Sequence, residues 1–184
     1  MTHGFDDKGR KFDSKGIMRN WYIYLYLLTT TTTSNTITNT NTNTRWQETD
    51  EVEYEKRASG MIAQAEKFEV YGIKLNGKLT NGENIADLGG LRLSYRALCK
   101  SLPENPPLIN GFSPQQRFFI AWSQCWRQNI KEERAKSLLT LDPHGPNEWR
   151  ANSPLQNMHE FYEAFGVGPE DKMYRPEQDR VLIW

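Results

Sequence analysis

Two carboxylates, Glu83 and Asp87, stand four residues apart in Gly82-Glu83-Asn84-Ile85-Ala86-Asp87-Leu88-Gly89-Gly90. On a helix that spacing puts them on one face, where like charges repel. Such a pair is either an ordinary solvated face or a metal site. In the second reading Glu83 binds the ion and Asp87 orients a neighbouring ligand. A second pattern, Leu141-Asp142-Pro143-His144-Gly145-Pro146-Asn147-Glu148-Trp149-Arg150, sets one imidazole and one guanidinium six residues apart in a stretch stiffened by proline and glycine. An imidazole can donate a hydrogen bond to a developing oxyanion, and arginine can fork onto a carbonyl or carboxylate. The plain alternative is a surface loop with a salt-bridged arginine. Third, His3 could be the second histidine of an H-E-x-x-H zinc motif whose first His-Glu pair precedes Met1. A lone N-terminal histidine can equally be an exposed side chain.

The elements that must carry these groups are helical in pattern. Thr49 or Asp50 can cap a helix through about Phe68, with Glu51 and Glu53 near its positive end. Val70 to Lys74 reads as a short extended piece followed by an Asn76-Gly77 turn. A second helix is expected from near Leu79 to Leu102, stopped by Pro103, with Gly89 and Gly90 marking close packing. Ser113-Pro114-Gln115-Gln116 is a capping box with proline at the first helical position. That helix should reach about Asn129 and bury Phe118, Phe119, Trp122 and Trp126. An amphipathic stretch covers Lys131 to Leu139, and 142–153 reads as a loop. Asn157 with Glu160 predicts a helix start, and Gly166 its end. The tail from Tyr174 reads as a loop and a terminal strand. Cys99 and Cys125 are expected as buried thiols, and His159 as an exposed side chain.

The 184 residues suit one compact domain, and 23 basic against 23 acidic side chains give no footprint for nucleic acid or anionic lipid. No stretch approaches the roughly 20 apolar residues of a membrane-spanning helix. Six Trp, eight Phe and eight Tyr allow a sizeable core despite an apolar share of 37%. Residues 22–45 stand apart. An uncharged strand-prone run, Tyr22 to Leu28, precedes a stretch from Thr29 to Thr44 in which ten of sixteen residues are Thr and four are Asn. That composition has little to bury, so a low-complexity insertion is expected. It is a whole number of codons encodable by A/T-rich sequence, and removing it joins Trp21 to Trp46, as a retained intron would explain.

The three chemical patterns occur together, in their order along this chain, in a known family. The chain resembles the C-terminal part of the neprilysin and endothelin-converting enzyme family of zinc metalloendopeptidases, over residues 1–21 and 46–184. Thr2-His3-Gly4-Phe5-Asp6-Asp7 followed by Gly9-Arg10 is similar to the family's run after its zinc helix, and 82–90 to its third-ligand helix, with Leu88 where many members carry Asn. Pro114-Gln115-Gln116-Arg117-Phe118-Phe119, Asn157-Met158, Phe161-Tyr162-Glu163-Ala164-Phe165, Met173-Tyr174-Arg175-Pro176 and the final Trp184 also match. The resemblance implies a mainly α, incomplete portion of a thermolysin-like catalytic domain that hydrolyses peptide bonds with one zinc ion. It implies His3 and Glu83 as zinc ligands, Asp87 as support for a ligand, His144 as oxyanion donor and Arg150 as grip on a substrate carbonyl. Asp142 would orient His144. An extracellular or membrane-anchored ectoenzyme is the implied setting. The family's first zinc histidine and catalytic glutamate are not in this sequence, so the chain by itself is expected to be inactive. The competing expectation is a helical remnant that binds a partner without catalysis.

Overall fold

The computed structural model describes the backbone of residues 11–12, 18–19 and 48–183, and side chains from residue 50 onward. The expectations for His3, for a turn braced by Asp6 and Asp7, and for the 22–45 insertion lie outside the described residues. Two compact units are present, residues 57–183 and residues 1–56 with 184. In the smaller one, β1 (Lys11–Phe12) pairs antiparallel with β2 (Met18–Arg19), Lys11 opposite Arg19 and Phe12 opposite Met18.

The larger unit is mainly helical. Helix α1 (Glu48–Ala65) contributes Ala58, Met61 and Ala65 to the core, a buried stripe at helical spacing. Strands β3 (Glu69–Val70) and β4 (Ile73–Lys74) form a hairpin, turned by Tyr71 (φ 53°) and Gly72 (φ 72°), both left-handed as a tight two-residue loop requires. Helix α2 (Gly77–Ser101) then starts on Asn76, whose side chain accepts from the Leu79 amide at 3.0 Å. The expected Asn-Gly turn is therefore an N-cap followed at once by helix. Gly77 is required by contact, since a Cβ there would lie 2.6 Å from the Ile62 carbonyl oxygen.

Helix α3 (Pro114–Cys125) has the expected capping box, with Ser113 Oγ accepting from the Gln116 amide and Gln116 Oε1 from the Ser113 amide. It stops four residues before the expected Asn129. Phe119 is buried among Tyr95, Phe118, Phe161 and Phe165, with ring centroids 5.2–6.4 Å away. Phe118, Trp122 and Trp126 are only half-buried. Helix α4 spans Glu132–Leu141. The expected loop over 142–153 contains a further helix, α5 (Asn147–Asn152), which begins directly after Pro146. Helix α6 (His159–Phe165) ends on left-handed Gly166, as expected, but Met158 rather than Asn157 precedes it. Asn157 is buried and used elsewhere.

Its side chain joins three segments. Nδ2 donates to Gln64 Oε1 (2.8 Å) and to the Ser153 carbonyl (2.9 Å), while Oδ1 accepts from the Val181 amide (2.7 Å). Arg92 donates to the Asn157 carbonyl at 2.7 Å. The tail reaches this point through a 3₁₀ turn at Glu177–Asp179, and no strand forms between Tyr174 and Ile183. Val181 and Ile183 are buried as a strand pattern predicts, yet their backbone partners are side chains, Asn157 and Arg57. Three smaller expectations also differ. Cys99 and Cys125 are exposed, and Gly90 is exposed with nothing within 4 Å of a would-be Cβ, although Gly89 is buried. His159 is exposed as expected, 3.3 Å from Glu163. No helix among the described residues is long and apolar enough to cross a membrane.

Candidate active site

The first half of α2 and the segment from Asp142 through α5 bring Glu83, Asp87, Asp142, His144 and Arg150 together. The helical spacing puts Glu83 and Asp87 on one face. Asn84, on the adjacent face, is buried and accepts from the Trp149 indole at 2.7 Å, which fastens α5 to α2. The ring of Trp149 fills the space where a Gly145 Cβ would sit, so only glycine lets the chain pass there beside His144.

Arg150 lies over the two acids. Its Nε and Nη2 donate to the two oxygens of Asp87, each at 2.7 Å, in a forked pair, and Nη2 is 3.8 Å from Glu83 Oε2. The Cζ atom stands 4.1 Å from the centroid of the Trp126 ring. Asp87 and Arg150 side chains are 11% and 14% exposed, so this charge pair is largely shielded from water. Burial raises the Asp87 pKa above its ordinary 3.8, and the neighbouring Glu83 adds to that rise. Arg150 and His144 pull the other way without cancelling it.

His144 is oriented from one side. Asp142 Oδ1 accepts from the His144 amide (2.9 Å) and lies 2.7 Å from its Nδ1. Although partial burial pushes the Asp142 pKa up, the His144 amide, its ring and Arg134 outweigh that and hold it below 3.8. At the far side of the ring, Nε2 is 3.3 Å from Glu83 Oε2. That oxygen is buried and accepts no hydrogen bond among the described residues. A buried carboxylate oxygen in this condition is suited to an ion or water. Zinc takes carboxylate oxygen and imidazole nitrogen donors, so Glu83 fits it. Among the described residues no group of three His, Cys, Asp or Glu side chains could hold a metal ion together.

A cavity of about 690 Å³ opens beside these groups. Phe68, Tyr71, Trp126 and Leu139 give it an apolar wall, and His144 and Arg150 a polar one. The sequence singles out Glu83, Asp87, Asp142, His144 and Arg150, which the fold brings together, but not the Asp87–Arg150 fork, which joins residues 63 positions apart. It placed Trp126 in the core, and no local signal marks its stacking on Arg150. Asn84 was legible only as the residue between the acids.

A sequence model described as peptidase family M13 matches residues 1–181. The chain is 32% identical to a neutral endopeptidase of Lactococcus lactis subsp. lactis (strain IL1403), over 100% of this chain and 24% of that protein. It is 31% identical to neprilysin-1 of Caenorhabditis elegans, over 100% of this chain and 22% of that protein. With human endothelin-converting enzyme 1 the identity is 30%, over 98% and 21%. Among solved structures, the Mycobacterium tuberculosis zinc metalloprotease ZMP1 in complex with inhibitor matches with a TM-score of 0.73 and 36% identity, covering 76% of this chain and 22% of that one. PepO from Lactobacillus rhamnosis HN001 matches with a TM-score of 0.64 and 34% identity, covering 74% and 20%. The chain spans about a quarter of the length of these curated relatives.

Proposed function

Because the chain belongs to peptidase family M13, we propose that it supplies the C-terminal part of the active site of a zinc-dependent metalloendopeptidase acting on peptides. The observation that carries this reading is Glu83 Oε2, buried, accepting no hydrogen bond among the described residues, and set 3.3 Å from the imidazole of His144. Glu83 is a zinc ligand in this reading, with His3 as a second. Zinc, when bound, supplies Lewis-acid polarisation of a water and of the scissile carbonyl.

The remaining side chains act on the peptide and its developing charge. Asp142 Oδ1, 2.7 Å from Nδ1 of His144, is the acceptor that fixes the ring. Nε2, at the far side of the ring, is the nitrogen that donates its N–H to the oxyanion in this reading. Asp87 uses two of the five Arg150 N–H groups, leaving three to grip a carbonyl of the substrate. Asp87 thus positions Arg150, in addition to the role of orienting a metal ligand. An ectoenzyme setting follows from the same family resemblance. Metal content of the purified chain and of Glu83→Gln, after dialysis against dilute zinc, tests the reading. Zinc in the parent and about tenfold less in the variant is expected for the loss of one donor. Equal content in both, zero included, removes Glu83 as a ligand.

A further inference from the structure

We infer that Trp126 is a positioning residue for Arg150: its ring face sets the plane of the guanidinium and so the direction of the donors that Asp87 leaves over. Asp87 alone fixes one edge of the guanidinium, and rotation about that edge would still swing the remaining N–H groups. The Trp126 ring, with its centroid 4.1 Å from Cζ, removes that freedom by covering one face. Trp126 is itself held. Trp122 meets it edge-on at 5.3 Å, and the Trp122 indole donates to the Ala151 carbonyl at 3.2 Å. Asn147 Nδ2 donates to the Trp126 carbonyl at 3.0 Å. Ala151 and Asn147 belong to α5, the helix that also carries Arg150, so the aromatic pair and the cation are referenced to one short helix. Both Trp126 and Arg150 line the 690 Å³ cavity, where the remaining donors are available. That these donors meet a substrate carbonyl rests on the function proposed above.

The test uses the full chain labelled with ¹⁵N, in Trp126→Phe, which keeps an aromatic face, and Trp126→Leu, which does not. Hydrogen exchange of the Arg150 Nε–H is read beside that of the Trp149 indole N–H, which is bonded to Asn84 and reports the fold. Leucine should speed Arg150 exchange about tenfold, phenylalanine less than about threefold, with Trp149 unchanged in both. Affinity for a capped dipeptide amide, N-acetyl-Leu-Leu-amide, should fall about tenfold in the leucine variant and be retained with phenylalanine. Unchanged Arg150 exchange in the leucine variant, equal acceleration at Trp149, or no rescue by phenylalanine would each overturn the inference. So would a peptide affinity indifferent to Trp126. Failure of Glu83 to take up zinc defeats the peptidase reading but leaves these exchange rates as expected, so the two outcomes are separable.

Discussion

Two clusters of polar side chains lie in the larger unit, a buried one around Asn157 and a partly buried one around Glu83, and they differ in what they leave open. Every polar atom of the Asn157 carboxamide is matched, by Gln64, Ser153 and the Val181 amide. Around Glu83 the matching is deliberately uneven in its effect: Asp87 is fully forked by Arg150, while Glu83 Oε2 and the indole Nε1 of Trp126 are buried without hydrogen-bond partners among the described residues. A closed polar network fixes tertiary structure, because each group would lose a partner on unfolding or substitution. An open one costs stability and is suited to receiving a ligand. The contrast sets a closed structural network beside a candidate ligand site.

The sharpest way to break that contrast is Asn157→Ala. It strands the Val181 amide and the Gln64 amide oxygen, leaves the Ser153 carbonyl only its 3.3 Å bond from Gln64 Nε2, and should cost about 3 kcal/mol in urea unfolding. A loss below about 1 kcal/mol would place Asn157 among ordinary surface substitutions. Arg150→Leu comes next. It leaves Asp87 shielded and unpaired, but the Asp87 pKa is already raised, so the carboxyl can take up a proton; about 2 kcal/mol at pH 7 is expected, growing smaller in acid.

Acid titration followed by ¹³C NMR of the carboxyl carbons sharpens the same comparison within the site. As pH falls, Asp87 should protonate first, above 3.8, and Asp142 last, below 3.8. For Asp142 the native pairing with His144 stabilises the fold above 3.8, and that contribution disappears as pH drops through its depressed pKa. Asp87 has the opposite sign: the native state holds its proton more tightly than the unfolded chain. Its favourable contribution is therefore present below 3.8 and is lost as pH rises through the raised value. Reversed order of the two midpoints would contradict the assigned surroundings. The smallest effect belongs to Glu83→Gln, which should change stability by less than about 0.5 kcal/mol, since Oε2 has no hydrogen bond among the described residues to lose. A large loss from that substitution would turn Glu83 into a second structural polar group.

Much of the site was legible because its signals are local. Four-residue spacing places Glu83 beside Asp87, and Ser113 with Gln116 writes a capping box whose two bonds both form. The parts that escaped are those decided by distant partners. Asn157 has the composition of an N-cap, but buried Gln64 and the Val181 amide compete for it and win, so α6 begins without it. Alternation at Val181 and Ile183 fits a strand, yet among the described residues no neighbouring strand offers backbone groups and side chains take their place. Proline and glycine at 143–146 read as loop through Ser153. Pro146 in fact stands immediately before α5, whose first turn carries Glu148, a start signal that the loop composition concealed. Exposed Cys99 and Cys125 show that a residue type usually found inside can lie on the outward side of an amphipathic helix.

The contact of Trp149 with Gly145 has an evolutionary corollary. The indole both occupies the volume that any larger residue at 145 would need and reaches across to Asn84 for its acceptor. Three positions are thereby tied into one heritable unit: a smaller ring at 149 would permit alanine at 145 and release 84 to vary. Lineages that drift should change these sites as a set, or not at all.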